Sequence, residues 1–588
     1  MECTKIRATL MLKKYCFLLS FFTVGLIAAA DKPMNVVFIL ADDLGWSDTE
    51  LYGQTKLYKT PNIMRLAKMG CTFDRAYSNS PLCSPTRASF LTGQTPARHG
   101  STQPRHHTKT VALKAELAKK ARPTEKALPV STATRLDTNF PTIGKMMKQA
   151  GYETGHFGKW HLGPEPYSPL QHGFDVDIPH HTGAGPGKSY VAPWSQEHIK
   201  PNYEKEYIED RMVEECLKWV DGLSGDKPFF MNYWMFSVHA PFDAKQELID
   251  KYKKVIDPNS KQRSALYAAM VQSLDDAVGA LLEGLESRGL MDNTVIIFTS
   301  DNGGNIYSQL DEGIVPTSNF PLSGGKASMC EGGVRVPCTV VWPGVTKAGS
   351  RSDEIVQTSD FYTTIIKGSG IALPEGHVVD GIDIRPALKG EKLDRKAIFT
   401  YFPCIVPVPE WLPPSMSVHS GKWKLVRVFF GGENGEHDYK LYDLSNDIAE
   451  ENNLADSNPE LLKRLDNLIE AYLTETNAVT PVPNPDFDPK QFDPTAIGKR
   501  PASKKKGQKA KSKKPTPKKN TPAKQVSAAA KKPALEQQFT RRDKNKDGKL
   551  DYNEFIVKPE RDNEKLKSNF NKRDSNKDRY LSQQEYVK

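Results

Sequence analysis

The sequence predicts an α/β protein with a mostly parallel sheet flanked by helices, then a small antiparallel α+β subdomain and a helical C-terminal module. Short apolar runs typical of buried strands alternate with helix-length patterns, and the runs end in polar clusters. After about residue 385 the pattern changes to short alternating segments. The chain has 588 residues, enough for several domains.

The first thirty residues have the organisation of a secretory signal peptide. Four basic residues precede an apolar run over 15–27, and Ala28-Ala29-Ala30 then offers a small-residue cleavage site. This apolar run is too short to span a ~30 Å hydrocarbon core comfortably. We therefore expect an exported protein, periplasmic or secreted, with no membrane contact after cleavage of 1–30. A retained N-terminal anchor is the alternative.

Alternating strand and helix patterns predict the sheet between residues 31 and 385. A run over 34–40 reads as a central strand, and a helical pattern over 61–69 follows it. A second run over 229–238 precedes a helix-length pattern over 265–285, which leads into a third run over 294–299. Such alternation is typical of parallel sheets, whose ligands bind beyond the carboxyl ends of the strands.

Two of these strands end in pairs of oxygen-bearing side chains. Asp42 and Asp43 follow the first run, and Asp301 and Asn302 follow the third. Adjacent carboxylates repel each other and favour a bound cation, and oxygen-only ligands suit calcium or magnesium better than zinc. We therefore expect a metal site at this edge of the sheet; two unrelated turns are the alternative.

The most specific motif is Cys83-Ser84-Pro85-Thr86-Arg87, followed by Ala-Ser-Phe-Leu-Thr-Gly over 88–93. This string resembles the signature of the type I sulfatases of the alkaline-phosphatase superfamily. A lone Cys at this place would more simply be a buried side chain at the start of a helix.

Further blocks extend the resemblance over most of residues 34–475. They occur in the family's order: Gly158-Lys159-Trp160-His161-Leu162-Gly163, Val238-His239-Ala240-Pro241-Phe242, Gly324-Gly325-Lys326, Glu331 to Pro337, Lys440 to Leu444 and Glu450 to Leu454. The last two look like the family's small C-terminal subdomain, which we place at 386–480. The resemblance implies an alkaline-phosphatase-like fold for the sheet.

The resemblance also implies a nucleophile and a metal. Family sulfatases oxidise the signature Cys to formylglycine, which implies a formylglycine-generating enzyme as a partner during maturation. The hydrated aldehyde attacks sulfur with one oxygen, so the implied calcium ligands are residue 83, Asp42, Asp43, Asp301 and Asn302. A second hydrate oxygen offers a route to release sulfate, which a plain serine lacks.

The remaining roles implied by the resemblance belong to charged and titratable side chains. Arg87 would hold the modified residue, while Lys159 and Lys326 would neutralise the sulfate. His239 is the candidate acid for the departing alcohol, and His161 is the candidate base for the second hydrate oxygen. Taken singly, a Lys is more often a solvated surface group and a His more often makes a structural hydrogen bond.

The expected substrate is a sulfated carbohydrate or an aryl sulfate. An apparent insertion over 101–136 is basic and suits a polyanion such as a sulfated polysaccharide, or is a solvated flexible excursion. Five histidines lie outside the shared blocks: His99, His106, His107, His180 and His181. Of these, His180 and His181 adjoin a Gly-rich loop over 182–188 that could face the substrate.

A basic segment separates the predicted enzyme from the C-terminus. Residues 481–533 are rich in Pro, Lys, Ala and Ser and predict an extended, disordered linker. This segment alone exceeds the net charge of +10 of the whole chain, since 499–532 contains fourteen Lys or Arg and no acid. The rest is mildly acidic, so we expect no nucleic-acid partner. The linker is a spacer or contacts polyanions.

Residues 534–588 predict a pair of EF-hands. The first twelve-residue loop runs from Asp543 to Glu554 with Gly548 at the turn; the second runs from Asp574 to Glu585 but has Arg579 at the glycine position, which puts its calcium affinity in doubt. The loops would hold one or two Ca²⁺ ions. The candidate ligands are Asp543, Asn545, Asp547, Lys549, Asp551, Glu554, Asp574, Asn576, Asp578, Ser582 and Glu585. A dockerin-like module and an acidic tail are the alternatives.

Two other functions are compatible with the same motifs. A phosphate or phosphonate monoester hydrolase can share the fold, the metal and the formylglycine, although the lysine pair and the 158–163 block favour sulfate. A catalytically inactive, calcium-dependent binding protein is the second alternative, but no expected catalytic position is lost. Six cysteines follow the signal segment; if Cys83 is converted, at most two disulfides are possible.

Overall fold

The computed structural model describes residues 33–196, 198–310 and 313–500, and the backbone of 549–550 and 581–582. The predicted signal peptide, the linker beyond residue 500 and nearly all of both predicted calcium loops lie outside the described residues. The chain divides into two compact units, 1–503 and 504–588. Among the described residues, no helix combines the length and apolar character that crossing a membrane requires.

An eight-stranded sheet forms the centre of the first unit. In chain order its strands are β1 (Asn35–Ala41), β2 (Cys71–Tyr77), β3 (Glu153–Gly158), β4 (Val176–Ile178), β5 (Phe229–Trp234), β6 (Thr294–Ser300), β7 (Cys338–Val341) and β8 (Ser350–Gln357). The spatial order is β8-β2-β7-β6-β1-β5-β3-β4, and β7 runs antiparallel to both of its neighbours. The other neighbouring strands are parallel, which confirms the predicted sheet.

Helices cover both faces of this sheet. One layer contains α1 (Pro61–Met69), α4 (Ile208–Asp221), α5 (Gln246–Lys253) and α6 (Ala265–Ser287); the other contains α2 (Cys83–Thr92), α3 (Ile143–Gln149) and α7 (Asp360–Gly368). Every residue of β1 is buried, and alternate side chains such as Val37 and Phe38 enter opposite cores. Burial on both faces explains its continuous apolar run. Short helical turns lie at Trp46–Asp48, Glu50–Tyr52, Pro96–His99, Pro169–His172, Met291–Asn293, Glu331–Val334, Arg385–Leu388 and Pro494–Ala496.

A second, antiparallel sheet follows in the order β9-β10-β11-β12. Its strands are Ile398–Phe402, Ser415–Ser420, Trp423–Val428 and Asp438–Asp443, and α8 (Pro459–Thr476) covers it. Leu465, Ile469 and Leu473 of α8 pack with buried strand residues such as Met416 and Leu425. The predicted small antiparallel unit is confirmed.

A buried group of charges, here called the interface cluster, lies between the two sheets and consists of Tyr77, Glu331, His419, Lys424 and Glu450. Glu331 accepts hydrogen bonds from His419 (2.9 Å), Lys424 (3.1 Å) and the Tyr77 hydroxyl (2.9 Å). Lys424 also pairs with Glu450 at 2.7 Å. Burial alone would raise the Glu331 pKa, but Lys424 and His419 outweigh it and hold that pKa well below its usual value.

The basic insertion and the start of the predicted linker form backbone pairs. Val482–Pro483 pairs with Ala127–Leu128, and Glu116–Leu117 pairs with Val130–Ser131, so the basic insertion is tied into small sheets. Gly498 accepts a hydrogen bond from the Glu410 amide at 2.7 Å. The prediction of an extended, disordered linker is therefore wrong for residues 481–500. Their composition has no apolar period, but backbone pairing with a distant segment holds them, and composition does not reveal such pairing.

The six cysteines among the described residues are unpaired: Cys71, Cys83, Cys216, Cys330, Cys338 and Cys404. In the second unit, Lys549–Leu550 pairs antiparallel with Leu581–Ser582, so that Leu550 lies opposite Leu581.

Candidate active site

The four oxygen-bearing residues predicted as metal ligands lie at the ends of adjacent strands. Ala41 of β1 is opposite Ser300 of β6, so the residues that follow each strand meet at one edge of the sheet. All four are fully buried. Asp43 accepts a hydrogen bond from the Asn302 amide at 2.8 Å, and the Asp43 backbone N–H donates to Asp301 at 3.2 Å. Strand pairing thus brings together two motifs 258 residues apart in the chain.

Cys83 is the first residue of α2, and Arg87 lies one helical turn later on the same face. The guanidinium makes two hydrogen bonds to Asp301 Oδ2, at 2.9 and 2.7 Å, and one to the Lys159 carbonyl at 2.9 Å. It also stacks over Trp234 at 5.0 Å from the ring centroid. Arg87 therefore ties the start of α2 to the ends of β6 and β3 and fixes the position of Cys83.

Two lysines complete the charge balance. Lys159 Nζ lies 2.5 Å from Asp42 Oδ2, and Lys326 Nζ lies 2.7 Å from Asp43 Oδ2. Burial alone would raise the Asp43 pKa, but Lys326, His239 and Lys159 together lower it to about 2. The Lys326 pKa is raised well above its usual value, because Asp43 outweighs the opposing effect of burial. Lys326 is therefore charged at neutral pH.

His161 lies beside the candidate nucleophile. Its Nδ1 is 3.4 Å from Cys83 Sγ, and its Nε2 is 3.2 Å from Nδ1 of His107. Burial, aided by the charge of Lys159, lowers the His161 pKa well below its usual value, so the ring is neutral and able to accept a proton. Burial raises the Cys83 pKa, so the unmodified side chain is a thiol rather than a thiolate.

His239 lies near Asp43. Its Nε2 lies 3.9 Å from Asp43 Oδ2, while its Nδ1 lies within hydrogen-bond distance of the Ala240 carbonyl. A carbonyl only accepts, so Nδ1 carries a proton and Nε2 is the atom that can exchange one. Burial, followed by the charges of Lys326 and Lys159, lowers the His239 pKa well below its usual value.

The Gly-rich loop over 182–188 lies against His239. A Cβ placed on Gly185 would lie 3.1 Å from His239 Nδ1 and 2.8 Å from the Ala240 carbonyl oxygen, so the loop backbone lies directly against His239. The neighbouring His180 instead bonds Asp177 at 2.6 Å. The loop itself, rather than His180, therefore borders the candidate active site.

The donor set fits a hard cation. Asp42 Oδ1 and Asn302 Oδ1 are buried and lack a hydrogen-bond partner among the described residues. Ligand atoms of Asp42, Asp43 and His239 all lie within 4.8 Å of one another. Burial and the nearby Asp301 raise the Asp42 pKa well above its usual value. Buried oxygens without partners are costly unless a ligand satisfies them, and oxygen ligands suit calcium.

The structure brings together all ten residues that the sequence analysis assigned to the catalytic centre. They are Asp42, Asp43, Cys83, Arg87, Lys159, His161, His239, Asp301, Asn302 and Lys326. His107 was missed because it lies in the basic insertion, outside every shared block. No local pattern distinguishes it from its neighbour His106, and only its contact with His161 sets it apart.

Comparisons with known proteins agree with this geometry. The family model described as Sulfatase matches residues 34–371, and the model described as N-sulphoglucosamine sulphohydrolase, C-terminal, matches residues 325–476. The first match includes the ten residues above, and the second includes the antiparallel sheet and α8.

Individual relatives cover a similar part of the chain. The N-acetylgalactosamine-6-sulfatase of Homo sapiens is 31% identical over 392 residues, which are 64% of this chain and 69% of the relative. A sulfatase of Formosa agariphila is 30% identical over 522 residues, 77% of this chain and 90% of the relative. The crystal structure of Ps i-CgsB in complex with k-i-k-neocarrahexaose is 29% identical, with a TM-score of 0.60, and the match covers 76% of this chain and 94% of that one.

Proposed function

Because this chain belongs to the sulfatase family and is a sulfuric ester hydrolase, we propose that it removes sulfate from a sulfated carbohydrate. In this proposal Cys83 is converted to formylglycine and a calcium ion is held by residue 83, Asp42, Asp43, Asp301 and Asn302. The observation that carries the proposal is the convergence of Cys83 with two lysines and two histidines on one buried edge of the sheet.

Arg87 and the lysines prepare the site for an anion. Cys83 Sγ stands in for an oxygen of the hydrated formylglycine, and Arg87 holds its helix against Asp301. Lys159 and Lys326 now pair with Asp42 and Asp43. A cation held by those carboxylates would leave the two ammonium groups free to contact the sulfate oxygens, where they would stabilise charge during transfer.

The two histidines are suited to transfer protons to and from the reacting groups. His161 is neutral and 3.4 Å from the residue-83 side chain, so it is suited to take a proton from an oxygen at that position. His239 can protonate the departing alcohol only from Nε2, because its Nδ1–H is held by the Ala240 carbonyl. This transfer requires the doubly protonated ring, a form that the negative charge of a bound sulfate ester favours. Calcium, when bound, would increase the acidity of the nucleophile and withdraw charge from the sulfate oxygens.

A surface cavity offers a candidate site for part of a carbohydrate substrate. The cavity has a volume of about 930 Å³, and its lining includes Gly324, two residues before Lys326. It also includes Phe320, whose side chain is 54% exposed with the Lys261 ammonium 3.5 Å from its ring centroid. An exposed aromatic ring beside cationic groups suits a sulfated sugar. The human relative is an N-acetylgalactosamine-6-sulfatase, and the Ps i-CgsB structure is a complex with k-i-k-neocarrahexaose, so both relatives are associated with sugars.

The rest of the chain serves export and attachment in this proposal. Residues 1–30 direct the chain to the periplasm or the medium, a formylglycine-generating enzyme acts on it, and 31–385 and 386–480 form the enzyme. The basic segment within 481–533 connects it to an EF-hand pair at 534–588. The pairing of Leu550 with Leu581, the eighth position of each loop, supports a paired module.

The proposal is tested with matched esters of one aryl alcohol and with a sulfated oligosaccharide. We expect kcat/KM for the aryl sulfate to exceed that for the aryl phosphate by at least about tenfold, and faster phosphate turnover would contradict the proposal. A Phe320→Ala variant should raise KM for the oligosaccharide alone. If KM for the small aryl sulfate rose by the same factor, the cavity would not be a site that binds the carbohydrate.

A further inference from the structure

His107 connects the buried His161 to solvent. His161 is 1% exposed, whereas His107 is exposed, and the rings stack with centroids 5.4 Å apart. One nitrogen of His161 faces Cys83 Sγ at 3.4 Å and the other faces His107 Nδ1 at 3.2 Å. A continuous line of side chains thus runs from residue 83 through two imidazoles to the surface.

The position of His107 is built into the fold. Arg135, which is 4% exposed, donates from Nη1 to the His106 carbonyl at 2.9 Å and from Nη2 to the Thr108 carbonyl at 2.6 Å. These are the two carbonyls that flank His107. A buried guanidinium that binds the carbonyls of the residues before and after His107 restricts the backbone of this residue. Arg135 therefore holds His107 in the position from which it contacts His161.

The role proposed for His161 determines which nitrogens of the two rings must carry protons. For His161 to accept a proton at Nδ1, its single proton must be on Nε2. Nε2–H can then donate only to an acceptor, so His107 Nδ1 must be unprotonated and His107 must carry its proton on Nε2, away from His161. The nearby His106 is fully buried and pairs with Ser101 at 3.2 Å.

We propose that His107 is a positioning residue that fixes the tautomer of His161 and relays its proton to water. This inference rests on the proposed function. The oxygen of residue 83 gives a proton to His161 Nδ1 as the sulfate bond to that residue breaks. His161 passes its Nε2 proton to His107 Nδ1, and His107 releases its own Nε2 proton to water. One proton leaves the site and nothing is oxidised or reduced.

The test compares His107→Ala, His107→Asn and Lys109→Ala in the full chain, using an aryl sulfate and measured formylglycine content. Asn keeps an acceptor for His161 but has no second proton to release. We expect kcat to fall on the order of 10- to 100-fold in both His107 variants, with KM changed less than about twofold. Added imidazole should restore part of kcat. Lys109→Ala is the control, because Lys109 is exposed and lies two residues from His107. Its kcat should equal that of the wild type and should not change when imidazole is added.

A second readout is the mass of the residue-83 peptide during turnover. The His107 variants should accumulate a sulfate adduct on this peptide, because expulsion of sulfate is the step that needs the relay. Unchanged kcat in both variants, or a loss that imidazole does not restore and that brings no adduct, would overturn the relay. Absence of sulfate hydrolysis by the wild type would instead overturn the proposed function.

Discussion

Two buried charge clusters in this protein use the same residue types in different ways. In the interface cluster, both carboxylate oxygens of Glu331 accept hydrogen bonds, and Lys424 binds a carbonyl oxygen as well as two carboxylates. The ten residues of the candidate active site form the second cluster, here called the catalytic cluster. In it, Asp42 Oδ1 and Asn302 Oδ1 have no hydrogen-bond partner among the described residues. The first cluster holds two sheets together, and the second has bonding capacity left for a ligand.

The contrast indicates that burial and charge alone do not identify a functional site. Both clusters are almost inaccessible to water, and both contain groups with strongly shifted pKa values. They differ because the catalytic cluster has buried oxygens without hydrogen-bond partners among the described residues. Such oxygens destabilise the folded protein, and a bound metal or substrate that contacts them stabilises it. The predictions below separate the clusters by activity, by calcium response and by stability.

The largest expected effect is on activity, from Cys83→Ala. We expect aryl sulfate turnover to fall by on the order of 10⁴-fold or more, because the nucleophile is absent. The melting temperature should change little, since the substitution removes one buried atom. Cys216→Ala, at another buried cysteine, is the matched control and should keep its activity per folded molecule. Comparable activity loss in both variants would contradict a special role for Cys83.

The next effect is the calcium response of the catalytic cluster. Calcium should raise the melting temperature of the wild type, because an ion that binds the folded state stabilises it. Asp42→Asn should lose most of this shift and its turnover, while Glu331→Gln should keep the calcium shift. Thermal unfolding with and without a chelator measures both. A calcium shift that survives in Asp42→Asn with the tail removed would contradict the assigned ligands.

The interface cluster should respond in stability rather than in catalysis. Glu331→Gln removes the charge opposite buried Lys424, so we expect a loss of ~3 kcal/mol in the free energy of unfolding. The value of kcat per folded molecule should stay within about twofold. Denaturant unfolding gives the first quantity, and Glu451→Gln, at an exposed neighbour of the cluster, is the control.

Glu331→Gln also tests how the free energy of unfolding depends on pH. The folded-state pKa of Glu331 is depressed below its ordinary value of 4.5, so its contribution is fully present above about pH 4.5 and is lost as the pH falls through the folded-state pKa. The stability difference between wild type and Glu331→Gln should therefore narrow on acidification below pH 4.5. A difference that is constant down to acid-induced unfolding would exclude the ionised form as the stabilising species.

The smallest expected effect comes from removing the tail. A chain that ends at Arg500 should turn over a small aryl sulfate within about twofold of the full chain, because both clusters lie before that residue. A chain that ends at residue 480 should be less stable, since it loses the strand pair with Ala127–Leu128 and the bond to the Glu410 amide. Equal free energies of unfolding for the two chains would show that 481–500 does not stabilise the enzyme.

The sequence predicted the catalytic centre better than its surroundings. Asp42 and Asp301 follow apolar strands, and Arg87 is one helical turn from Cys83, so local patterns were enough to bring them together. His107 depends on the path of an insertion, and 481–500 depends on pairing with a segment more than 350 residues away. Glu331 fell within a shared block, but its neighbours across the sheets give it a structural role.

The mass of the peptide that contains residue 83, from protein made in its native host, tests the central claim most directly. The account predicts a peptide with one oxygen in place of one sulfur and two hydrogens, accompanied by sulfatase activity. An unmodified Cys83 thiol in fully active protein would contradict it.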